Sequence, residues 1–454
     1  MPLPFYYSYS QGPSLTHEYR LTRYYFHMDK SKKYKIFTDP VHGFIGVPKG
    51  TVLNLLDHPY IQRLRRIRQL GLSYFVFPGA EHSRFSHALG ALGLMIKVLN
   101  NLREKDTTIS REEYESTLAA ILLHDIGHGP YSHTLEHTLI RDFHHEMMTT
   151  ALMHKLNDEF DGRLSTALEI FTGNYPKAFL HQLISSQLDI DRLDYLKRDS
   201  IHTGVSEGSV GVDRIIKTMR VHQGNIVIDG KGIYAVENYI TARRLMYMQV
   251  YLHKTALSAD KLLRAIFRRV RKLLDEGANL YFSSPAMEYF LVKRPRAAKG
   301  ISDELIRNFV MIDDSDIQLC IKYWHYHEDP ILADLCRRFL NRQFLRTTFF
   351  REKPNEELIA KHHDQTARQL KNMGLPHDDD AVSYYVFHDY SYSEAYKYQN
   401  DGIWIMDNYN DTAIEFSRAA DTRNIIAMTE PVVKHYGVHL KELDFRKDSA
   451  VSVR

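Results

Sequence analysis

Cysteine is scarce in this chain: Cys320 and Cys336 are the two thiols among 454 residues. Two cysteines with no further pattern give no disulfide framework, so a reducing, cytoplasmic setting is expected. Long apolar runs are missing too, and none approaches the length that spans a bilayer, so no membrane association is expected. Charge of one sign is also lacking. A formal net charge of +3 gives no reason to expect nucleic acid or a membrane surface as partner. Met1 to His27 are rich in Tyr, Phe and Ser but have no positive start followed by an apolar block. A signal peptide is therefore not expected, and Met28 is the expected start of the natural protein. No internal repeat appears.

What is present is ordinary globular composition, 44% hydrophobic and 25% charged, with 25 histidines. The length allows two or three domains, or one large helical domain with appendages. The histidines concentrate around residues 122–133, LLHDIGHGPYSH. An apolar run from Leu118 to Leu123 reads as a buried helix end that delivers His124 and Asp125 into an interior. Gly127, Gly129 and Pro130 then break the helix and keep His128 and His133 near the pair. Imidazole and carboxylate both ligate divalent cations, and neither is stable when buried without a partner. A lone core histidine is more often simply hydrogen-bonded. Several at one helix terminus shift the balance towards metal chemistry.

The flanking pieces add to this. Residues 35–47 read as a small hairpin or entry loop, and from Val52 to Leu70 the pattern is helical. The arginines among residues 63–68 suit, for the most part, a solvated face. A loop at Pro78 and Gly79 precedes a helix that places Arg84 and His87 on one side of its first turn, where they suit a phosphate and a metal. The plain alternative for His87 is a helix cap. Residues 183–199 read as a helix on which Ile184, Leu188 and Tyr195 share the face of Asp191. A carboxylate on an apolar stripe needs a partner, either a cation or an ion pair with Arg192 or Arg198. Residues 222–234 suggest a hairpin turning at Asp229 and Gly230, and a long helix is expected from about Val236 to Leu274. Its basic end, Arg264 to Lys272, reads as a solvated face, with a subunit contact or a bound polyphosphate as alternatives. His154 and His137 read as surface residues. Residues 295–300 look like a linker.

Together His87, His124, Asp125 and Asp191 form a sparse N/O ligand set that would leave a bound metal open to water and substrate. The pattern resembles the HD-domain metal-dependent phosphohydrolases. The strings DPVHG (39–43), QRLRRIRQLG (62–71), FPGA (77–80), RFSH (84–87), HDIGHGPYSH (124–133), HE (145–146), DRLDY (191–195) and RD (198–199) resemble the branch containing deoxynucleoside triphosphate triphosphohydrolases. Within it, the likeness is to the vertebrate SAM-and-HD-domain enzymes and their bacterial relatives. It covers roughly residues 35–261. No SAM domain is visible.

The resemblance implies that His87, His124, Asp125 and Asp191 hold a divalent metal, with Fe, Mn, Zn, Ni and Mg all compatible. His128 and His145 would work at the α-phosphate, His145 as proton donor, with Glu136 orienting it where the relative has Asp. His133 would contact the α-phosphate. Arg84, Arg192 and Arg243 would grip the phosphate chain. Gln69, Tyr195 and Asp199 would read the sugar, Leu70 would crowd the 2′ position, and Tyr251 and His253 would lie near the base. Lys35, Asp57, Gln62 and Arg65 match a site that binds an activating guanine nucleotide between subunits, and an ordinary charged helix surface is the alternative reading. Relatives assemble as tetramers, so a homo-oligomer, tetramer or dimer, is expected.

The expected fold is mainly α: an HD-domain helical core with a small β-hairpin, and a smaller α+β C-terminal portion. The expected divisions are an extension (1–34), the phosphohydrolase domain with its following long helix (35–294) and the C-terminal region (295–454). Three functions compete: a dNTP triphosphohydrolase, an HD phosphohydrolase acting on a monophosphate, alarmone or cyclic nucleotide, and a non-catalytic nucleotide sensor or assembly subunit. The complete set of ligands, histidines and arginines counts against the last, since a sensor needs no proton-transfer group.

Overall fold

The computed structural model describes residues 33–445 except 281, 299, 395, 397–401, 408–409 and 421–429. Met28 and residues 1–32 of the expected extension lie outside the described residues. The architecture is mainly helical with small sheets, as expected. It opens with the hairpin β1 (Tyr34–Asp39) and β2 (Gly43–Pro48). Asp39 makes the turn: its Oδ1 accepts the amides of Val41 at 3.0 Å and His42 at 2.9 Å.

The continuous helix expected from Val52 is broken into α1 (Thr51–Leu56), α2 (Pro59–Gln62) and a 3-10 turn at Arg63–Arg66. Pro59 disfavours helical backbone at His58, so the second piece must start afresh. Arg63 departs from the solvated-face reading. It is buried, donates to the carbonyls of Ile312 (3.2 Å) and His128 (3.0 Å), and stacks on Phe309.

Helix α3 (Arg84–Glu104), capped by Ser83, runs through the core with Leu92, Leu94, Met95 and Val98 fully buried. Helix α4 (Arg111–Leu123) starts with a capping box between Ser110 and Glu113 and ends at the His124–Asp125 pair. Then follow α5 (Ser132–Leu139), α6 (His145–Glu159), α7 (Ser165–Thr172), α8 (Ala178–Gln182) and α9 (Ile190–Thr203). The helix expected across residues 183–199 begins only at Ile190, because Asp189 caps it; Asp191 therefore sits in its first turn.

After α10 (Val212–Thr218) comes a second hairpin, β3 (Met219–His222) and β4 (Asn225–Asp229). It turns at Gln223 and Gly224, with φ +49° and +79°, not at the expected Asp229 and Gly230. Positive φ at both central positions is what a two-residue hairpin turn requires. The single helix expected from Val236 to Leu274 is two helices, α11 (Ile233–Met246) and α12 (Lys254–Asp275). Between them lie a π-helical turn, Tyr247–Tyr251, and a break where the His253 side chain caps the amide of Thr255.

The C-terminal part contains α13 (Pro285–Val292), α14 (Asp303–Phe309), α15 (Asp314–Trp324), α16 (Pro330–Leu340) and α17 (Glu356–Asn372). Its strands are β5 (Arg346–Phe350), β6 (Phe387–Ser393), β7 (Trp404–Asp407), β8 (Thr412–Glu415) and β9 (Val432–His439). β5, β9 and β6 form one sheet, while β7 pairs parallel to β4 and extends the second hairpin to four strands. One hydrophobic cluster runs from Ile45 to Leu440, across residue 294. The basic end of α12 is built into this junction: Arg269 bonds Asp329 at 2.5 and 3.0 Å and Asp380 at 3.1 Å. Cys320 and Cys336 are free and buried. Among the described residues no helix is long and apolar enough to cross a membrane.

Candidate active site

Three helices and the turn after α4 bring the four expected ligands together. His87 comes from the first turn of α3, His124 and Asp125 from the end of α4, and Asp191 from the first turn of α9. His87 Nε2 lies 3.2 Å from His124 Nε2 and 3.1 Å from Asp191 Oδ1, and His124 Nε2 lies 3.4 Å from that same oxygen. Asp125 oxygens stand 3.7 Å from His87 Nε2 and 3.5 Å from His124 Nε2. Donors held ~2.1 Å from one cation are roughly 3.0–3.4 Å from each other, so His87, His124 and Asp191 are spaced to hold a divalent ion, with Asp125 standing slightly farther out beside them. Neither arginine weighed as a partner for Asp191 takes it: Arg192 pairs with Asp189, and Arg198 with Asp194 and Asp39.

The far sides of the imidazoles are fixed. His87 Nδ1 meets Asp194 Oδ2 at 2.7 Å, and His124 Nδ1 donates to the Ile121 carbonyl at 2.6 Å. Such bonds set the tautomer that turns the Nε2 lone pair towards the centre. Behind them is a buried layer that sequence reading did not assign. Asp194 also meets His42 Nε2 at 2.7 Å and Arg198 at 2.9 and 3.0 Å, and Arg198 reaches Asp39 at 2.9 and 3.2 Å. Its sequence signals were the motifs that contain these residues: DPVHG for Asp39 and His42, DRLDY for Asp194 and RD for Arg198. Burial disfavours the charged form of His87, yet Asp191 and Asp194 push it up to about 10. The cluster thus favours positive charge, and a divalent cation answers the same preference.

A second histidine group adjoins the first. The His128 ring stacks on His145 at 3.9 Å, with His133 edge-on to both at 5.5 Å. Glu136 Oε1 accepts the His145 amide at 2.7 Å and faces its Nδ1 at 3.2 Å, while Oε2 faces His133 Nδ1 at 3.2 Å. Burial opposes the Glu136 charge, but His133 and His145 hold its carboxyl far below the usual range. Burial and the neighbouring Arg84 push His128 down to about 3, so it is neutral at pH 7. Gly127 lets α6 close on this turn, because a Cβ there would lie 2.2 Å from the His145 carbonyl oxygen.

Both groups open onto a cavity of about 540 Å³, within the range of small-molecule sites. Arg84, Asp125, His128, His133, His145 and Asp191 line it, as do Gln69, Leu70, Tyr195, Asp199 and Tyr251. Arg84 bonds Asp125 at 2.5 Å and Ser132 at 3.0 Å. Asp199 accepts from Tyr251 Oη at 2.9 Å and meets His82 Nε2 at 2.8 Å. Arg192, Arg243 and His253 do not line the cavity. Arg192 turns back to its own cap, Asp189, and to the Ser186 carbonyl; Arg243 bonds Gln187 at 3.1 Å; His253 caps α12. Sequence reading missed Tyr247, Asp260 and Arg264 on the wall. The spacing of Asp260 and Arg264, one helical turn apart, was the available signal.

The four residues of the expected regulatory site lie elsewhere, joined in two pairs. Lys35 Nζ is 3.5 Å from Asp57, and Arg65 Nε donates to Gln62 Oε1 at 2.8 Å while stacking 3.5 Å over Phe85.

The family described as HD associated region matches residues 210–281. Bacillus subtilis YwfO is 36% identical over 378 residues, 82% of this chain and 83% of that protein. The crystal structure of a phosphohydrolase from Bacteroides thetaiotaomicron superposes with a TM-score of 0.85 at 40% identity, covering 90% of this chain and all of the other. The deoxynucleoside triphosphate triphosphohydrolase SAMHD1 homolog of Dictyostelium discoideum is 27% identical over 306 residues, 63% of this chain and 57% of that protein. The chain belongs to the HD-domain phosphohydrolases related to SAMHD1.

Proposed function

We propose that this protein hydrolyses deoxynucleoside triphosphates to a deoxynucleoside and intact triphosphate. The carrying observation is that the His87, His124 and Asp191 cluster, with Asp125 beside it, and a carboxylate-supported histidine pair open onto one cavity of nucleotide size. The kinship with SAMHD1 triphosphohydrolases supports the substrate class.

His87, His124, Asp125 and Asp191 would hold the divalent metal, whose chemistry is to lower the pKa of bound water and polarise the phosphoryl oxygen. Arg84 neutralises phosphate charge at the cavity wall, and His133 contacts the α-phosphate. Water oxygen bonds to the α-phosphorus and releases its proton to solvent as the product triphosphate ionises, and the bond from that phosphorus to the 5′-oxygen breaks. His145, oriented by Glu136, delivers a proton to the departing oxygen, while neutral His128 accepts hydrogen bonds beside it. Gln69, Tyr195, Asp199 and Tyr251 hold the deoxyribose, and Leu70 fills the space a 2′-hydroxyl would need. Lys35, Asp57, Gln62 and Arg65 bind an activating guanine nucleotide where copies meet in a homo-oligomer.

The test is product analysis with a nucleotide panel and Mn²⁺, Mg²⁺ or Fe²⁺, with and without GTP. Triphosphate release from dNTPs is expected, and His124→Ala or Asp125→Ala should abolish it while circular dichroism stays helical. Monophosphate or pyrophosphate release would replace this reading with another HD phosphohydrolase, and binding without product would make the protein a sensor. Equal dATP turnover with and without GTP would remove the activator.

A further inference from the structure

Two stretches of the cavity wall come from distant parts of the chain. Gln69 and Leu70 supply one; Tyr131, Ser132 and His133 supply the other. The second wall is strained, since Tyr131 and Ser132 are consecutive non-glycine residues at φ +48° and +33°. Such backbone persists only where its surroundings hold it.

Both walls end on one side chain of the C-terminal part. Asp314, at the first turn of α15 and 3% exposed, accepts the main-chain amide of Arg68 on Oδ2 and that of Tyr131 on Oδ1, each at 3.0 Å. These amides immediately precede Gln69 on one wall and Ser132 on the other. From the next turn of α15, Gln318 Nε2 donates to the Tyr131 hydroxyl at 2.9 Å. The neighbouring Ile312 carbonyl accepts from Arg63, which in turn holds the His128 carbonyl. A carboxylate suits this place because it offers two acceptors and no donor.

We propose that Asp314 is a positioning residue that sets the spacing of the two cavity walls, and that the start of α15 therefore belongs to the active-site framework. Asp314 touches neither the four metal ligands nor Glu136 and acts on bound substrate only through the wall segments. The inference rests on the cavity being the substrate site.

Asp314→Asn keeps the volume but turns an NH₂ towards one of the two amides, so one wall loses its tie. With the Mn²⁺-loaded full chain, kcat/KM for the nucleotide hydrolysed by wild type should fall about 10- to 100-fold, mostly through KM, as expected for misplaced substrate contacts. Mn²⁺ stoichiometry should not change, and turnover of bis(p-nitrophenyl) phosphate, too small to span the walls, should stay within about twofold. Gln318→Met, which removes only the Tyr131 hydroxyl tie, should show a smaller loss of the same kind. An unchanged kcat/KM for folded Asp314→Asn would overturn the proposal, as would equal losses on both substrates or loss of Mn²⁺. If Asp314→Asn does not fold, Gln318→Met decides, and no nucleotide-selective loss overturns it. A wild type inactive on every dNTP would refute the substrate reading alone; positioning is then read as a change in Kd for whichever nucleotide wild type binds.

Discussion

His87 can present Nε2 to a cation only while Nδ1 is engaged, and Asp194 is the group that engages it. Replacing Asp194 with Asn keeps the shape but removes the charge and one acceptor. Metal affinity should drop about 10- to 100-fold, the usual effect of losing such a partner. Gly90→Ala should act at the same place, because its Cβ would lie 2.0 Å from Arg198 Nη2 and 2.1 Å from Asp194 Oδ1. Isothermal titration with Mn²⁺ checks both, and wild-type affinity in either variant would contradict this account. His124, Asp125, His87 and Asp191 were legible in sequence because ligand types stood where apolar runs and helix breakers placed them. Asp194 was not. It sits three residues from a ligand among other charges, and only the approach of α3 to α9 brings it against His87.

Among the elements, β9 shows how burial sets a titration. His439 at its end is fully buried, takes the Thr348 hydroxyl on Nε2 at 3.0 Å and donates Nδ1–H to the Leu440 carbonyl at 2.8 Å. Burial pushes it down to about 4, against the opposing bond to Leu440. Between about pH 6.5 and 4 the unfolded chain binds the proton and the folded chain does not. Stability is therefore complete above pH 6.5 and falls as the pH drops through this window. The loss is about 3 kcal/mol at most by linkage. Denaturant titrations from pH 7.5 to 4 should show wild type losing up to that much more stability across the window than His439→Gln does. Parallel curves would exclude the effect. The elements themselves were readable where caps were explicit, as at Ser110 and Glu113. They were misread where a helical stripe crossed a hidden start, at Asp189 and at His253, since periodicity alone does not record where a side chain folds back as a cap.

At the level of the whole molecule, residues on either side of 294 share one hydrophobic cluster, the β4–β7 pairing and the Arg269–Asp329 bond. Calorimetry should give one cooperative transition, and two resolved peaks would show that these contacts do not couple the parts. Local patterning by itself determined a mainly helical core, a first hairpin or entry loop, and the residue types able to hold a metal; the phosphohydrolase reading came from the resemblance of its motifs. Those features depend on neighbours within a few turns of chain. Tertiary structure alone decided that Arg63 is buried, that Arg192 and Arg243 turn away from the cavity, and that Asp314 joins its walls. Each of these depends on which distant backbone or carboxylate a long side chain meets, and that is set by packing between helices far apart in sequence.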